Sequence, residues 1–218
     1  ANGLLVKLVI DTTGIHSGQF VLRLAGTEIG SDTAFVLAGG TELSAASTSG
    51  QIDVIATAVA DRRIFYNQSS FDGNNAAANG ADDTAIATDK QPLLPGQTAT
   101  FANYTSYTRG INGIMVDIPL LANPAAISAA QFEFRVGNSD TPSSWSLAPA
   151  PLSVTVRAGA GKDGSDRVTL IWANNEIQKR WLQVSVHADA VTGLAVPDVF
   201  YFGNAIGESG NSADNTFV

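Results

Sequence analysis

The chain has no cysteine, one methionine and two histidines in 218 residues. Without thiols there are no disulfides and no thiolate metal sites. The two histidines, His16 and His187, would leave a zinc centre dependent on carboxylates for its other ligands. Charge is also sparse: charged residues make up 15% of the chain, against about 25% in ordinary soluble domains. The 12 basic residues are outnumbered by 20 acidic ones, for a net charge of −8. With no basic run to offset that balance, phosphate backbones and anionic lipid surfaces are repelled, which excludes nucleic acid as a partner. No apolar run reaches the roughly eighteen residues of a spanning helix, so no membrane insertion is expected. The chain opens at Ala1 without Met or a signal-peptide pattern and is expected to be a processed or excised piece.

The catalytic templates are missing as well. A Ser-His-Asp triad would need a nucleophile elbow, which is absent. Gly159-Ala-Gly-Lys162 has the flavour of a phosphate loop but lacks the first glycine and the Ser or Thr after lysine, so it reads as a hairpin loop. A glycosidase pair of acids has no required sequence spacing, and a glycoside-active enzyme stays open as an alternative. Most of the carboxylates, however, fall in loops or on polar strand positions.

What the chain does have is a period of two. Leu4-Val6-Leu8-Ile10, Phe20-Leu22-Leu24, Ile52-Val54-Ala56, Ile114-Val116-Ile118, Phe132-Phe134-Val136, Leu152-Val154-Val156, Val168-Leu170-Trp172 and Leu182-Val184-Val186 each alternate with mostly polar neighbours. This is the pattern of strands with one buried face. Turn chemistry separates them at Thr13-Gly14, Gly39-Gly40, Pro95-Gly96, Asn112-Gly113, Gly137-Asn138, Gly161-Lys-Asp-Gly164 and Thr192-Gly193. The spacing predicts an all-β, antiparallel two-sheet β-sandwich, jelly-roll-like, with at most one or two short helices. One helical piece is expected at Asn123 to Ala130, with Pro124 near its start, and the Ala-rich stretch 76–87 is expected to be an ordered loop with at most a short helix. Residues 1–205 read as a single module, and 206–218, rich in Gly, Ser and Asn, as a linker-like tail.

The stretch from Phe71 to Asp89 packs four carboxylates and three side-chain amides into nineteen residues, and no Lys or Arg comes before Lys90. Hard oxygen donors in that density suit calcium. The expected structural site draws on Asp72, Asn74, Asn75, Asp82, Asp83 and Asp89, with Asn79 nearby. It departs from the EF-hand pattern, since Ala76 stands where another oxygen is expected and the sixth position is not glycine. A solvated, Asx-rich loop is the alternative.

Exposed aromatic rings are the other candidate, because sugar faces stack on them through apolar C–H surface. Trp172 shares parity with Val168 and Leu170 and reads as core. Trp181 lies on the polar parity of its strand with Gln183 and His187, so it should face outward or lie under a covering loop. Trp145 sits in a Thr-Pro-Ser-Ser-Trp-Ser loop, and Tyr104 and Tyr107 flank Thr-Ser beside Arg109. The expected ligand-binding set is therefore Trp181, Trp145, Tyr104, Tyr107, Gln183 and His187. Packing against a neighbouring loop or sheet is the alternative for each ring.

Several runs carry a family resemblance: Arg63-Ile-Phe-Tyr-Asn67, Phe71-Asp-Gly-Asn-Asn75, Asp82-Asp83 to Asp89-Lys90, Leu94-Pro-Gly96, Thr100-Phe-Ala-Asn-Tyr-Thr-Ser-Tyr107, Arg109-Gly-Ile-Asn-Gly-Ile-Met-Val-Asp117, Asp198-Val-Phe-Tyr-Phe-Gly-Asn204 and Gly207-Glu-Ser-Gly-Asn-Ser212. Together, over about residues 60–212, they resemble a module near the C-terminus of large secreted and surface proteins of planctomycete bacteria, in which a dockerin-like calcium-binding segment often follows. The resemblance implies an extracellular location, neighbouring domains in a larger polypeptide, and a modular, non-catalytic role. The expectation is a carbohydrate-binding module for polysaccharide or surface glycan with structural Ca2+, and the rival is a structural or adhesive cell-surface domain.

Overall fold

The computed structural model describes residues 57–207 and, before them, the backbone of four short strands. The chain divides into two compact units, residues 1–56 and 57–218, and this boundary falls inside the span read from sequence as one module. In the first unit, β1 (Gly18–Leu22) pairs antiparallel with β4 (Gly50–Val54), and β2 (Phe35–Val36) pairs with β3 (Glu42–Leu43). The apolar run Leu4 to Ile10, His16 and residues 208–218 lie outside the described residues.

The second unit is a β-sandwich. Its strands are β5 (Asp61–Ile64), β6 (Tyr104–Thr105), β7 (Gly113–Ile118), β8 (Phe132–Gly137), β9 (Ser146–Leu147), β10 (Ser153–Arg157), β11 (Asp166–Ile171), β12 (Trp181–Val186) and β13 (Asp198–Asn204). One sheet has the order β10-β11-β7-β5 and the other β6-β13-β12-β8-β9. Each pairing in these sheets is antiparallel except β6 with β13, which run parallel over two residues. That departs from the all-antiparallel expectation for a topological reason. A long connection carries the chain from β5 in one sheet to β6 in the other, so β6 is not bound to the reversal that a tight hairpin imposes.

Period-two patterning sets which side of each strand meets the other sheet. Ile114, Val116 and Ile118 of β7 and Val168 and Leu170 of β11 face Phe132, Phe134 and Val136 of β8 and Leu182, Val184 and Val186 of β12 in one core. Trp172 is buried there as expected, edge-on to Phe134 at 5.1 Å, with its indole N–H donated to the Pro149 carbonyl at 2.9 Å. Burying such side chains stabilises the fold by about 1.5–3 kcal/mol each. Leu152 breaks the pattern: it precedes β10, at a sheet edge, and is exposed.

The helical elements among the described residues are 3-10 turns. Two of them, Pro124–Ala126 and Ala129–Gln131, fill the segment expected to be helical, and a third, Gly80–Ala85, falls in the Ala-rich loop. Residues 158–165 join β10 to β11 as the hairpin loop foreseen for Gly159-Ala-Gly-Lys162. Asn112-Gly113 is not a hairpin turn. Asn112 is buried and ties Asn67 to Asn174, while Gly113 opens β7 under the ring of Phe65, where a Cβ would collide. Among the described residues no helix is long and apolar enough to cross a membrane.

Candidate functional site

Both sheets have an outward face, and loops cover parts of each. On the five-stranded sheet the cover is aromatic. Register sets Trp181 of β12 between Gly137 of β8 and Gly203 of β13. A Cβ on Gly137 would run into the Trp145 ring, and one on Gly203 into Tyr104 and Trp181. Strand glycines of this kind mark close approach. Here they let large rings lie down on the sheet.

The result is a small cluster of Tyr104, Trp145, Trp181 and Ala205, with Leu93, Phe101 and Tyr201 packed against it. Tyr104 meets Trp181 edge-on at 6.4 Å, and Trp145 meets Tyr201 edge-on at 5.9 Å. The Trp145 indole N–H donates to the Ser139 carbonyl and hydroxyl, each at 3.1 Å. Leu93 exchanges two backbone hydrogen bonds with Tyr201, both 2.9 Å, which docks the following loop along β13. That loop turns at Pro95-Gly96, as the sequence predicts: Gln97 N–H donates to the Leu94 carbonyl, and Gly96 has φ of +79°, the type II geometry that favours glycine.

Between this loop and the segment 138–142 lies a groove of about 560 Å³. Trp145, Trp181 and Tyr201 line it together with Leu93, Pro95 and Pro142, and Gln97, Asn138, Ser139 and Asp140 supply polar atoms at its walls. Asp140 is its single charged lining residue. Apolar rings with a few polar groups in a concave site are the usual make-up of a small-ligand pocket.

The expected ligand-binding residues divide accordingly. Trp181 and Trp145 do converge, 36 residues apart in sequence, on one groove. They are not open stacking platforms, however, since they retain 8% and 7% exposure. Strand parity placed Trp181 on the correct face but carried no information about the loop above it. Tyr104 is fully buried beneath Trp181 and is corrected to a packing residue. Tyr107 lies elsewhere, tilted against Tyr66 at 4.9 Å with its hydroxyl donated to the Asn67 carbonyl at 3.0 Å. Gln183 sits beside the groove without lining it and donates to the Tyr201 hydroxyl at 3.0 Å. His187 is exposed just past the end of β12 and does not line the groove. Tyr201, Gln97 and Asp140 were missed. Tyr201 carried a usable signal, as its parity opposes that of the core residues Phe200 and Phe202.

On the four-stranded sheet the cover is the acidic loop, and its charge is compensated across long sequence distances. Asp83 binds both Arg157 of β10, Nη1 to Oδ2 at 3.0 Å, and Arg167 of β11, Nη1 to Oδ1 at 2.9 Å. Arg167 in turn holds the buried Asp117 of β7 through two bonds of 2.8 Å. Burial works against ionised Asp83, but the two guanidiniums outweigh it and hold its carboxyl below the usual range. Bonding to Asp117 and then to Asp83 drives the Arg167 pKa upward against its burial. The absence of local Lys or Arg noted in the sequence is thus made good by tertiary structure. This corrects the ligand set, because Asp83 is engaged by arginines. Asp89 is exposed and pairs with Lys90 at 3.1 Å. Asn75 is exposed and accepts from Ala77 N–H at 2.8 Å, and Asn74 is exposed with φ of +60°. Asp72 and Asp82 alone of the six are buried without an arginine partner. Among the described residues no group of three or more His, Cys, Asp or Glu is arranged to hold a metal.

Comparisons of the chain with protein-family models, with curated proteins and with solved structures find no match, so the site must be interpreted from its own chemistry.

Proposed function

We propose that the second unit is a non-catalytic extracellular binding module, and that its groove takes a segment of a neutral polysaccharide or surface glycan. The observation that carries this reading is the convergence of Trp145, Trp181 and Tyr201 on one groove of about 560 Å³. Ring edges and the proline and leucine side chains offer apolar contact to sugar C–H surface, while Gln97, Ser139 and Asp140 offer donors and acceptors to hydroxyls. Because the one charged lining residue is acidic, an anionic polysaccharide would meet repulsion and no compensating cation. The mode would be insertion into a groove and not lateral stacking on a flat row of rings. A glycoside hydrolase needs two facing acids, and a lining with the single carboxylate Asp140 favours binding over hydrolysis.

The test uses the site's own reporters. Titration of the full chain with soluble fragments of neutral polysaccharides should shift tryptophan fluorescence, since two of the three tryptophans line the groove. Asp140→Ala should weaken that response. An unchanged emission spectrum across a panel of neutral glycans, together with no retention on insoluble ones, would overturn the reading in favour of a structural or adhesive surface domain.

A further inference from the structure

The acidic loop has buried oxygens that its own hydrogen bonds leave unanswered. Asp72, 3% exposed, ends the 3-10 turn Ser70–Asp72, and Asp82, fully buried, lies in the turn Gly80–Ala85. Each uses one carboxylate oxygen to accept a single backbone N–H: Asp72 Oδ2 from Gln68 at 2.7 Å, and Asp82 Oδ2 from Asn79 at 2.8 Å. The other oxygen of each, Oδ1, is buried with no hydrogen-bond partner. A third orphan belongs to the same loop. Asn67, 2% exposed, has its Oδ1 equally without a donor, while its amide nitrogen reaches the Ala76 carbonyl at 3.5 Å. The two turns are tied together by the Thr84 hydroxyl on the Phe71 carbonyl.

Buried acceptors are almost always satisfied, and leaving a buried carboxylate oxygen unanswered is costly. The arginines of this face do not supply the missing partner. Arg157 and Arg167 are engaged by Asp83 and Asp117. Arg109 donates to the Gln68 carbonyl at 2.6 Å and makes no ion pair among the described residues.

We propose that Asp72, Asp82 and Asn67 hold a calcium-like divalent cation between the two turns, with Oδ1 of each as ligand and backbone carbonyls or water completing the shell. Three hard oxygens, two of them anionic, are the donor chemistry that calcium takes, and its tolerance of six to eight ligands in irregular geometry suits a loop. The charges that face Asp82 agree with this. Burial is the main reason its carboxyl is pushed above the ordinary range; Asp72 and Asp83 push the same way, and the Asn79 N–H and Arg157 only partly offset them. A divalent cation would remove that penalty and lock one turn to the other. The role is structural: it fixes the cover over β7 and β11, on the sheet opposite the groove, so it stands independently of the glycan reading.

The experiment is calcium binding by the full chain. In chelator-treated protein, calcium at a hundredfold excess over Kd should raise Tm by about 5–10 °C, and terbium should bind with luminescence sensitised by the adjacent Tyr107 and Tyr66. Asp72→Asn and Asp82→Asn should each abolish the calcium shift, whereas Asp89→Asn and Asn75→Ala, on exposed members of the acidic stretch, should leave it intact. Magnesium, which demands tighter octahedral geometry, should give a smaller shift. The proposal is overturned if wild-type protein shows neither a calcium-dependent Tm nor terbium emission, the outcome expected if Asp82 is protonated and bonds Asp72. It is also overturned if the shift survives in both Asp72→Asn and Asp82→Asn. Should either variant fail to fold, terbium and calcium titrations of the wild type still decide the matter.

Discussion

The outward faces of the two sheets meet the same problem with opposite chemistry. The four-stranded sheet is covered by a polar loop fastened through the chain Asp117, Arg167, Asp83 and Arg157. The five-stranded sheet is covered by tryptophan and tyrosine rings seated on glycines. An ionic cover must satisfy every buried polar atom, and where it does not, it leaves orphans such as the Oδ1 atoms of Asp72 and Asp82. An aromatic cover has no such demand beyond one indole N–H or phenol O–H for each ring. Its failure mode is imperfect shape, and here the misfit is a groove. The first kind of defect suits an ion and the second an organic ligand.

The comparison is broken most severely by removing the central member of each cover. Asp117→Ala would leave Arg167, 8% exposed, as a buried cation with one partner lost, and should cost about 3–5 kcal/mol. Trp181→Ala should cost a similar amount, about 3–5 kcal/mol, as expected for emptying a packed tryptophan site. Urea unfolding checks both. A second-site variant separates them: in an Arg167→Met background Asp117→Ala should cost little, because no buried cation is left stranded, while the cost of Trp181→Ala stays the same. An undiminished cost of Asp117→Ala in that background would show that the two covers do not differ in kind.

A smaller perturbation tests the glycine seats. Gly137→Val and Gly203→Val should each destabilise by about 1–3 kcal/mol through overpacking, since a Cβ at either position meets a ring. Gly137→Val should also tilt Trp145 and change the groove, seen as altered tryptophan emission. If both variants melt like wild type, the rings are not seated as described.

The division between these faces explains what the sequence could tell. Alternation at Ile114-Val116-Ile118 and Leu182-Val184-Val186 marks the core face directly, because side-chain direction has the strand's own period, and these residues are buried as expected. The same parity puts Trp181 on the outward face. Whether that face is wet depends on Tyr104 and the loop after Leu93, which return from far away in sequence. Likewise the acidic stretch is visible as a cluster, but Asp83 lies 74 positions from Arg157 and 84 from Arg167. Pairing at that range follows from strand register, which composition does not carry. The orphaned oxygens are less legible still, since hydrogen-bond satisfaction is decided atom by atom.

Acidity should separate two adjacent aspartates. Against burial, the Arg157 and Arg167 guanidiniums lower the Asp83 carboxyl from 3.8. Its contribution is present above the unfolded value and lost as pH falls through the folded one. Asp82 is raised from 3.8, chiefly by burial. Its contribution is complete below the unfolded value and lost as pH rises through the folded one. Measured in chelator, wild-type Tm should therefore fall relative to Asp83→Asn on acidification below about pH 4, and fall relative to Asp82→Asn as pH rises above it. Difference curves with the same slope would contradict the assignment of one aspartate to arginines and the other to an unpaired burial.

The smallest effect on the fold should come from the groove's rim, and there the two faces are sharpened as distinct in role. Asp140 is exposed and accepts from the Thr141 hydroxyl, at 3.1 Å, within its own turn. Asp140→Ala should move the unfolding free energy by less than about 0.5 kcal/mol, as is usual for a surface change away from packed features. A single hydrogen bond to a sugar hydroxyl contributes modestly, so the variant should bind a neutral glycan about threefold to tenfold more weakly. Affinity electrophoresis in a polysaccharide gel reads the binding, and urea unfolding reads the stability. Adding chelator should leave that retardation in place if the ion-binding cover and the ligand groove act separately. Loss of retardation on chelation alone would mean that the two faces are coupled through the core between them.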